Sequence, residues 1–383
     1  MDNNYKAHVE FNKFFSLFQE AGQGKSNYFT ESNKEHIVYN KNTNEFYPEN
    51  YGGAYYDARI EKLIVNLTSK SKSNQFEGLV DGSIVSFKEV KYSLLDLLRI
   101  MDIIQSVMPK YNITQIALKQ ENQVIMVYGT ETFEKDSFVD FLKEAKVDLN
   151  CICFFDEIIT FKNTSKLQAG DGIALNNKDG DLGATVCCNA YKNIDGTRYN
   201  GVITAGHAYE YGYYYYTDDG SPIGPARDSI HINGGMYDAM FIPFGVNCTL
   251  TLTKDYIYRS PLSKIKHGTI TSIASPVEGT TVAKYGINSQ RVTGTVYDTY
   301  SVFYRPNATD PNRILMYNFF EITGNQVVGD SGAPVGVETG TKPNKQMSLI
   351  GMATMVKYES GTPVGASCCK ATVINSGIAS IYR

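Results

Sequence analysis

From Gly170 to its C-terminus this chain is a series of short apolar or Thr/Tyr-rich runs separated by Gly, Asn and Asp turns. Runs this short, closed by residues that turn the backbone, read as strands. A long succession of them predicts an all-β region, as two packed β-barrels would require. Upstream the pattern is different, and 383 residues are enough for two domains, each with a core of its own. The expected fold class is therefore an all-β double β-barrel domain over residues 170–383, preceded by a smaller α+β domain over residues 46–160. Residues 1–45 read as a partly helical leader of no legible role, with an apolar run from Phe11 to Phe18. Residues 161–169 read as a linker around the polar run Lys162-Asn163-Thr164-Ser165-Lys166.

The α+β reading rests on period changes. Ala54-Tyr55-Tyr56 and Leu63-Ile64-Val65-Asn66-Leu67 read as paired strands after a Gly52-Gly53 turn. Ser93 is placed to cap a helix whose Leu94, Leu97, Leu98, Met101, Ile104 and Met108 fall at helical spacing and stop at Pro109. Ile113–Lys119 and Val124–Tyr128 then predict a hairpin through Gln120-Glu121-Asn122-Gln123, followed by a helix carrying Phe138, Phe141, Leu142 and Ala145 and a strand over Cys151–Phe155. Strand, helix, strand, strand, helix, strand is a ferredoxin-like order.

Chemistry concentrates in three places. Gly329-Asp330-Ser331-Gly332-Ala333-Pro334-Val335 encloses a serine between glycines, where a tight turn can aim the amides of Gly329 and Ser331 at a developing oxyanion. A serine hydroxyl needs a base, and the base an orienting carboxylate. Of the five histidines, only His207 ends an apolar strand that runs into small residues, Thr204-Ala205-Gly206-His207. Asp238 heads the apolar segment Met236–Phe244, where a single charge is tolerated only if paired; Asp228 is its rival. Taken singly, a glycine-bracketed serine is more often a turn, a strand-end histidine a structural residue, and a lone aspartate a cap.

Together, in the order His, Asp, Ser with separations of 31 and 93 residues, the three segments resemble the signatures of chymotrypsin-fold serine endopeptidases, in particular the bacterial α-lytic protease and streptogrisin branch. The resemblance implies peptide-bond hydrolysis with His207, Asp238 and Ser331 as the catalytic triad and Gly329 and Ser331 as the oxyanion hole. It places Asn325 at the base of the primary pocket and Leu349–Met355 along the substrate backbone; Met352 and Met355 are read as pocket walls or, alternatively, as ordinary core methionines, and a small or medium apolar P1 residue is expected. Tyr51-Gly52-Gly53-Ala54-Tyr55-Tyr56-Asp57 and the chain from there to about Asp156 are similar to that branch's pro-region, which assists folding and inhibits the protease until it is cut away. A barrel built on non-local pairing folds slowly, which gives such a helper a physical rationale. The alternatives are an N-terminal domain that is never removed and a catalytically inactive protease-like binding protein.

The partners implied are a protein or peptide substrate and the chain's own N-terminal domain. A net charge of -4 and pI near 5.8 disfavour nucleic acid, and no stretch has the length and apolarity of a membrane span. The resemblance implies secretion, although Met1–Lys25 carries no signal peptide as written; a cytoplasmic location is the alternative. Seven cysteines cannot all pair within one chain, and Ala208 follows His207 where the family often has a cysteine, so reduced buried thiols are expected. No cofactor or metal is expected: there is no C-x2-C or H-E-x-x-H motif, and counting from Asp179 a calcium loop would need glycine at Ala184 and glutamate at Ala190. The run Tyr213–Tyr216 reads as a strand with one buried face rather than as a substrate wall.

Overall fold

The computed structural model describes residues 2–25, 36–69, 76, 78–130, 132–155, 159–162, 172–175, 182–194, 196–209, 213–217, 221–225, 228–230, 235–248, 250, 255–260, 263–305, 314–324, 326–327, 329–341, 344–359 and 362–381. It is mostly β, with a small α+β region at the N-terminus. The chain divides into two compact units. Unit 1 is Met1–Ile159 with Val277–Thr280 and Val296–Phe303; unit 2 is the remainder.

Unit 1 contains α1 (Asn3–Gly22), β1 (Ile37–Asn40), β2 (Glu45–Pro48), β3 (Tyr51–Asp57), β4 (Lys62–Leu67), β5 (Val85–Glu89), α2 (Leu94–Gln105), β6 (Ile113–Lys119), β7 (Val124–Gly129), α3 (Lys135–Glu144) and β8 (Ile152–Phe155). Residues Asn3–Gly22 of the leader thus form one continuous helix. Asp2 caps it by accepting from the Asn4 amide. Phe11, Phe14, Phe15 and Phe18, at i, i+3, i+4 and i+7, form its buried stripe, and the Phe11 and Phe15 rings stack 5.3 Å apart. Ser93 caps α2 through a bond from the Asp96 amide, and Leu94, Leu97, Leu98, Met101 and Ile104 are all buried.

Strands β3, β4 and β5 make their own sheet, while β6 and β7 pair antiparallel and β8 joins β7 in parallel. The strand–helix–strand–strand–helix–strand order is present, therefore, but spread over two sheets. Residues Ser301–Phe303 add an antiparallel strand to β6. Gln120 ties this region together: its side-chain oxygen accepts from the Ala54 amide at 2.6 Å and its backbone N–H donates to Glu278 at 2.8 Å.

Unit 2 runs through β9 (Ile159–Lys162, the first residue of which belongs to unit 1), β10 (Gly172–Leu175), β11 (Leu182–Thr185), β12 (Cys188–Ile194), β13 (Thr197–Thr204), β14 (Tyr214–Thr217), β15 (Pro222–Pro225), β16 (Asp228–Ile230) and β17 (Ala239–Pro243). It continues with β18 (Asp255–Ser260), β19 (Ser263–Ile273), β20 (Thr281–Gly286), β21 (Gln290–Arg305, in part), β22 (Ile314–Thr323), β23 (Pro334–Thr339), β24 (Lys345–Glu359), β25 (Thr362–Lys370), α4 (Ala371–Gly377) and β26 (Ser380–Ile381). One sheet has the order β11-β10-β14-β15, another β16-β17-β13-β12-β26; β24 lies between β23 and β25, with β20 beyond β23. Along β14 burial alternates, with Tyr215 fully inside, as the one-face reading of the tyrosine run requires. The linker expected over 161–169 lies outside the described residues beyond Lys162.

Candidate active site

The site is assembled by strand register. Antiparallel pairing of β13 with β17 sets Thr204 opposite Met240 and Ile203 opposite Phe241. The residue before β17, Asp238, is thereby carried to the short turn Gly206–Ala208 that follows β13 and holds His207. The approach is close: a Cβ on Gly206 would stand 2.8 Å from the Ala239 nitrogen, tighter than side-chain carbons tolerate, so the turn requires glycine.

Asp238 is wholly buried and uses both carboxylate oxygens on one residue. Oδ1 accepts from the His207 backbone N–H at 2.8 Å, and Oδ2 is 2.8 Å from the ring Nδ1. An acceptor-only carboxylate against Nδ1 assigns a proton to that nitrogen, so in the neutral imidazole Nε2 carries the lone pair, the tautomer of a base. Nε2 is buried and has no hydrogen-bond partner among the described residues. The rival Asp228 sits opposite Phe241 on β16; the carboxylate that reaches His207 is that of Asp238.

Ser331 is brought to the same strand end. Its carbonyl accepts from the Thr185 amide at 2.6 Å, and the next amide, Gly332, donates to Ala353 of β24 at 2.7 Å. A Cβ on Gly332 would stand 2.8 Å from Thr204 Oγ1 and overlap the Thr185 carbonyl, so the serine loop lies against the end of β13, three residues before His207. Gly329 and Gly332 have φ of +103° and +96°, a left-handed backbone that favours glycine on both sides of Ser331. The Ser331 hydroxyl donates to the carbonyl of Thr354 at 2.9 Å.

Between these glycines Asp330 turns inward and meets Lys284 of β20, Nζ to Oδ2 at 2.6 Å, with both side chains buried. Lys284 also donates to Gln326 Oε1 at 3.1 Å. Burial pulls the lysine below its ordinary range, against the opposing charge of Asp330. Behind Asp238 stand buried cysteines. Burial pushes the Cys369 thiol up to about 12, although the Asp238 backbone N–H at its sulfur works the other way. Cys187 is raised by its hydrogen bond with Cys188 and by burial, with Cys368 and Cys369 close enough to add to the effect. None of the seven cysteines is in a disulfide, and buried thiols raised in this way are inert.

Of the residues assigned to the pocket, Asn325 lies outside the described residues. Met352 and Met355 are wholly buried on β24. Met352 is paired on both sides, with Pro334 and with Cys369, so no strand can add there; Met355 pairs with Ser367 on one side. Leu349 likewise has Gly336 on one side and Ile273 on the other, which closes the first part of the stretch expected to bind substrate backbone. Strand β9 also pairs with β24. Sequence reasoning missed Lys284 and Thr354. Lys284 was readable by the argument that found Asp238, a lone charge in the apolar run Thr281–Gly286; Thr354 acts through its carbonyl, which no residue name reveals. Among the described residues, no three His, Cys, Asp or Glu side chains are grouped to hold a metal ion, and no helix is long and apolar enough to cross a membrane.

No protein-family model and no curated protein matches the chain. The solved structures to which it is similar are bacterial chymotrypsin-fold serine proteases. One is a glutamic-acid-specific serine protease with a histidine triad in substrate binding, 18% identical with a TM-score of 0.40, covering 56% of this chain and 99% of that one. Another is Cellulomonas bogoriensis chymotrypsin, 16% identical with a TM-score of 0.38, covering 55% and 94% respectively. A third is the Nocardiopsis protease NAPase, 17% identical with a TM-score of 0.37, covering 50% and 88%.

Proposed function

We propose that the chain is a serine endopeptidase working through an acyl-enzyme. The observation that carries this reading is the double hydrogen bond from His207 to the buried Asp238, which in the neutral imidazole holds the proton on Nδ1 and leaves Nε2 to act as a base. In this reading Ser331 Oγ attacks the scissile carbonyl carbon while Nε2 takes its proton. Collapse of the tetrahedral adduct expels the amine, which receives that proton from His207, and water then repeats the sequence on the ester. Asp238 stabilises the imidazolium in both halves. The amides of Gly329 and Ser331 bind the oxyanion, an assignment supported by the left-handed glycines that shape the loop.

The N-terminal unit, on the same reading, assists folding of two packed barrels and inhibits until cleaved. Its support is β9: directly after unit 1 the chain pairs with β24 as an added strand, the mode in which an extended peptide binds a sheet. The ferredoxin-like assignment of this unit is supported by element order. The substrate is a protein or peptide, with Asn325, Met352 and Met355 as pocket residues and an apolar P1 side chain. A secreted location belongs to the same reading.

One observation favours the second reading, an inactive protease-like protein: the Ser331 hydroxyl is bonded to Thr354 rather than to the imidazole. A single experiment decides. Ser331→Ala should abolish both peptide hydrolysis and labelling by a serine-directed phosphonate that the parent chain shows. A parent chain that takes no label, whole or cleaved, sinks the enzyme reading, and equal labelling of the variant sinks the assignment of Ser331.

A further inference from the structure

Resting on the endopeptidase reading, we propose that Cys369 is a positioning residue for that reaction: its thiol joins the end of β25 to the segment Met236–Asp238 and so fixes the carboxylate that orients the base. The sulfur meets this segment twice. Its S–H donates to the Met236 carbonyl at 3.7 Å, and the sulfur accepts from the Asp238 backbone N–H. Cys369 is wholly buried and is itself held in a regular sheet, opposite Met352 of β24. Asp238 precedes β17, so its own backbone lies outside the strand ladder. The thiol supplies there what the ladder does not.

The neighbouring cysteine makes the contrast. Cys368 donates within its own strand, to the Ala366 carbonyl at 3.9 Å, and reads as a small apolar side chain. Cys369 instead reaches a segment 133 residues earlier in the chain. Sulfur makes weak hydrogen bonds, but in a buried setting they count for more, and this one atom serves both a donor and an acceptor of the same segment.

The link to chemistry runs through Asp238. One of its oxygens accepts from the His207 backbone N–H and the other faces Nδ1, so any drift of the Asp238 backbone is passed to the imidazole. A catalytic group displaced by about 1 Å can cost about 100-fold in rate. The brace also needs its proton, because only S–H donates to Met236. Burial pushes the thiol up to about 12, so it stays a thiol wherever a histidine base works.

The test is steady-state kinetics of the full chain, first confirmed to take the phosphonate label, beside proton NMR of the His207 Nδ1–H in histidine-labelled protein. Cys369→Ala removes donor and acceptor together. It should lower kcat about 10- to 100-fold with KM nearly unchanged, and should shift the Nδ1–H resonance. Cys369→Ser has nearly the volume of alanine but restores a donor and an acceptor, and should hold kcat within about threefold of the parent. A folded Cys369→Ala with parental kcat overturns the proposal, and so do two variants equally impaired, since side-chain volume would then be all that matters. Should Cys369→Ala not fold, Cys369→Ser decides: a loss of about tenfold or more in kcat overturns the proposal. A parent chain that takes no label removes the endopeptidase reading and this role with it, whereas an Nδ1–H resonance unmoved by Cys369→Ala overturns the positioning alone.

Discussion

The hydroxyl of Ser331 donates to the carbonyl oxygen of Thr354 at 2.9 Å, and Ser331 itself is only 1% exposed. For the proposed nucleophile, bonded to a backbone acceptor and buried, this is a resting arrangement. The strand that offers the acceptor, β24, is also the strand with which β9 pairs. The intact chain should therefore take a serine-directed phosphonate slowly, and cleavage between residues 156 and 170 should speed labelling at least tenfold. Mass measurement after incubation should show that cleavage in the parent chain and not in Ser331→Ala. Equal labelling rates before and after cleavage would contradict the resting arrangement.

Asp238→Asn keeps the size and burial of the side chain but replaces an acceptor-only group by one with a donor end. If that end faces Nδ1, the imidazole must carry its proton on Nε2, the wrong nitrogen for a base. The expected loss in kcat is about 10⁴-fold, with KM little changed. Steady-state kinetics on one peptide substrate read this directly; a loss under tenfold would mean that Asp238 does not orient the base.

How much of this was legible beforehand differs by residue. His207 and Asp238 were readable because each breaks a local pattern: an imidazole at the end of an apolar strand, and one charge heading another. Lys284 breaks the pattern of its strand in the same way, so the missing step was only to ask what neutralises it. The phenylalanines of α1 recur at helical spacing, and their stripe could have been read as a buried face. Strand partners are another matter. Val277–Thr280 and Val296–Phe303 pack with unit 1, although the chain around them belongs to unit 2. Nothing in their alternation of side chains tells which sheet edge they meet, because pairing across such distances is chosen by tertiary fit. The closed edges of Leu349 and Met352 escaped for the same reason.

Unit 1 should weaken in acid through His8. The ring is buried on α1, and burial alone lowers its pKa to about 4 from the ordinary 6.5. The unfolded chain thus binds a proton more readily than the folded one. The contribution is complete above pH 6.5 and is lost as the pH falls through 6.5 toward 4. At 1.36 kcal/mol per pH unit the full loss is about 3 kcal/mol. Denaturant unfolding of the parent and His8→Phe at pH 7.5 and pH 4.5 should show the variant losing less stability between the two. Identical losses would mean that His8 does not carry the effect.

Lys357 and Glu321 form a second buried ion pair, Nζ to Oε2 at 2.8 Å, on β24 and β22, with β25 between the two strands. Removing Glu321 leaves the buried Lys357 ammonium to the Glu359 carboxylate at 3.9 Å, a longer and more exposed contact, and Glu321→Leu alone should cost about 3 kcal/mol. Replacing both, with Lys357→Met added, removes the desolvation cost together with the attraction, so most of the loss should return. A double-mutant cycle from denaturant unfolding measures this coupling. If the double variant is as unstable as the sum of the single ones, the two side chains act independently. Because Lys357 lies two residues beyond Met355, the same variants bear on the proposed pocket. A double variant that regains stability but changes P1 preference would mean that the pair holds the strand geometry on which selection of the side chain depends.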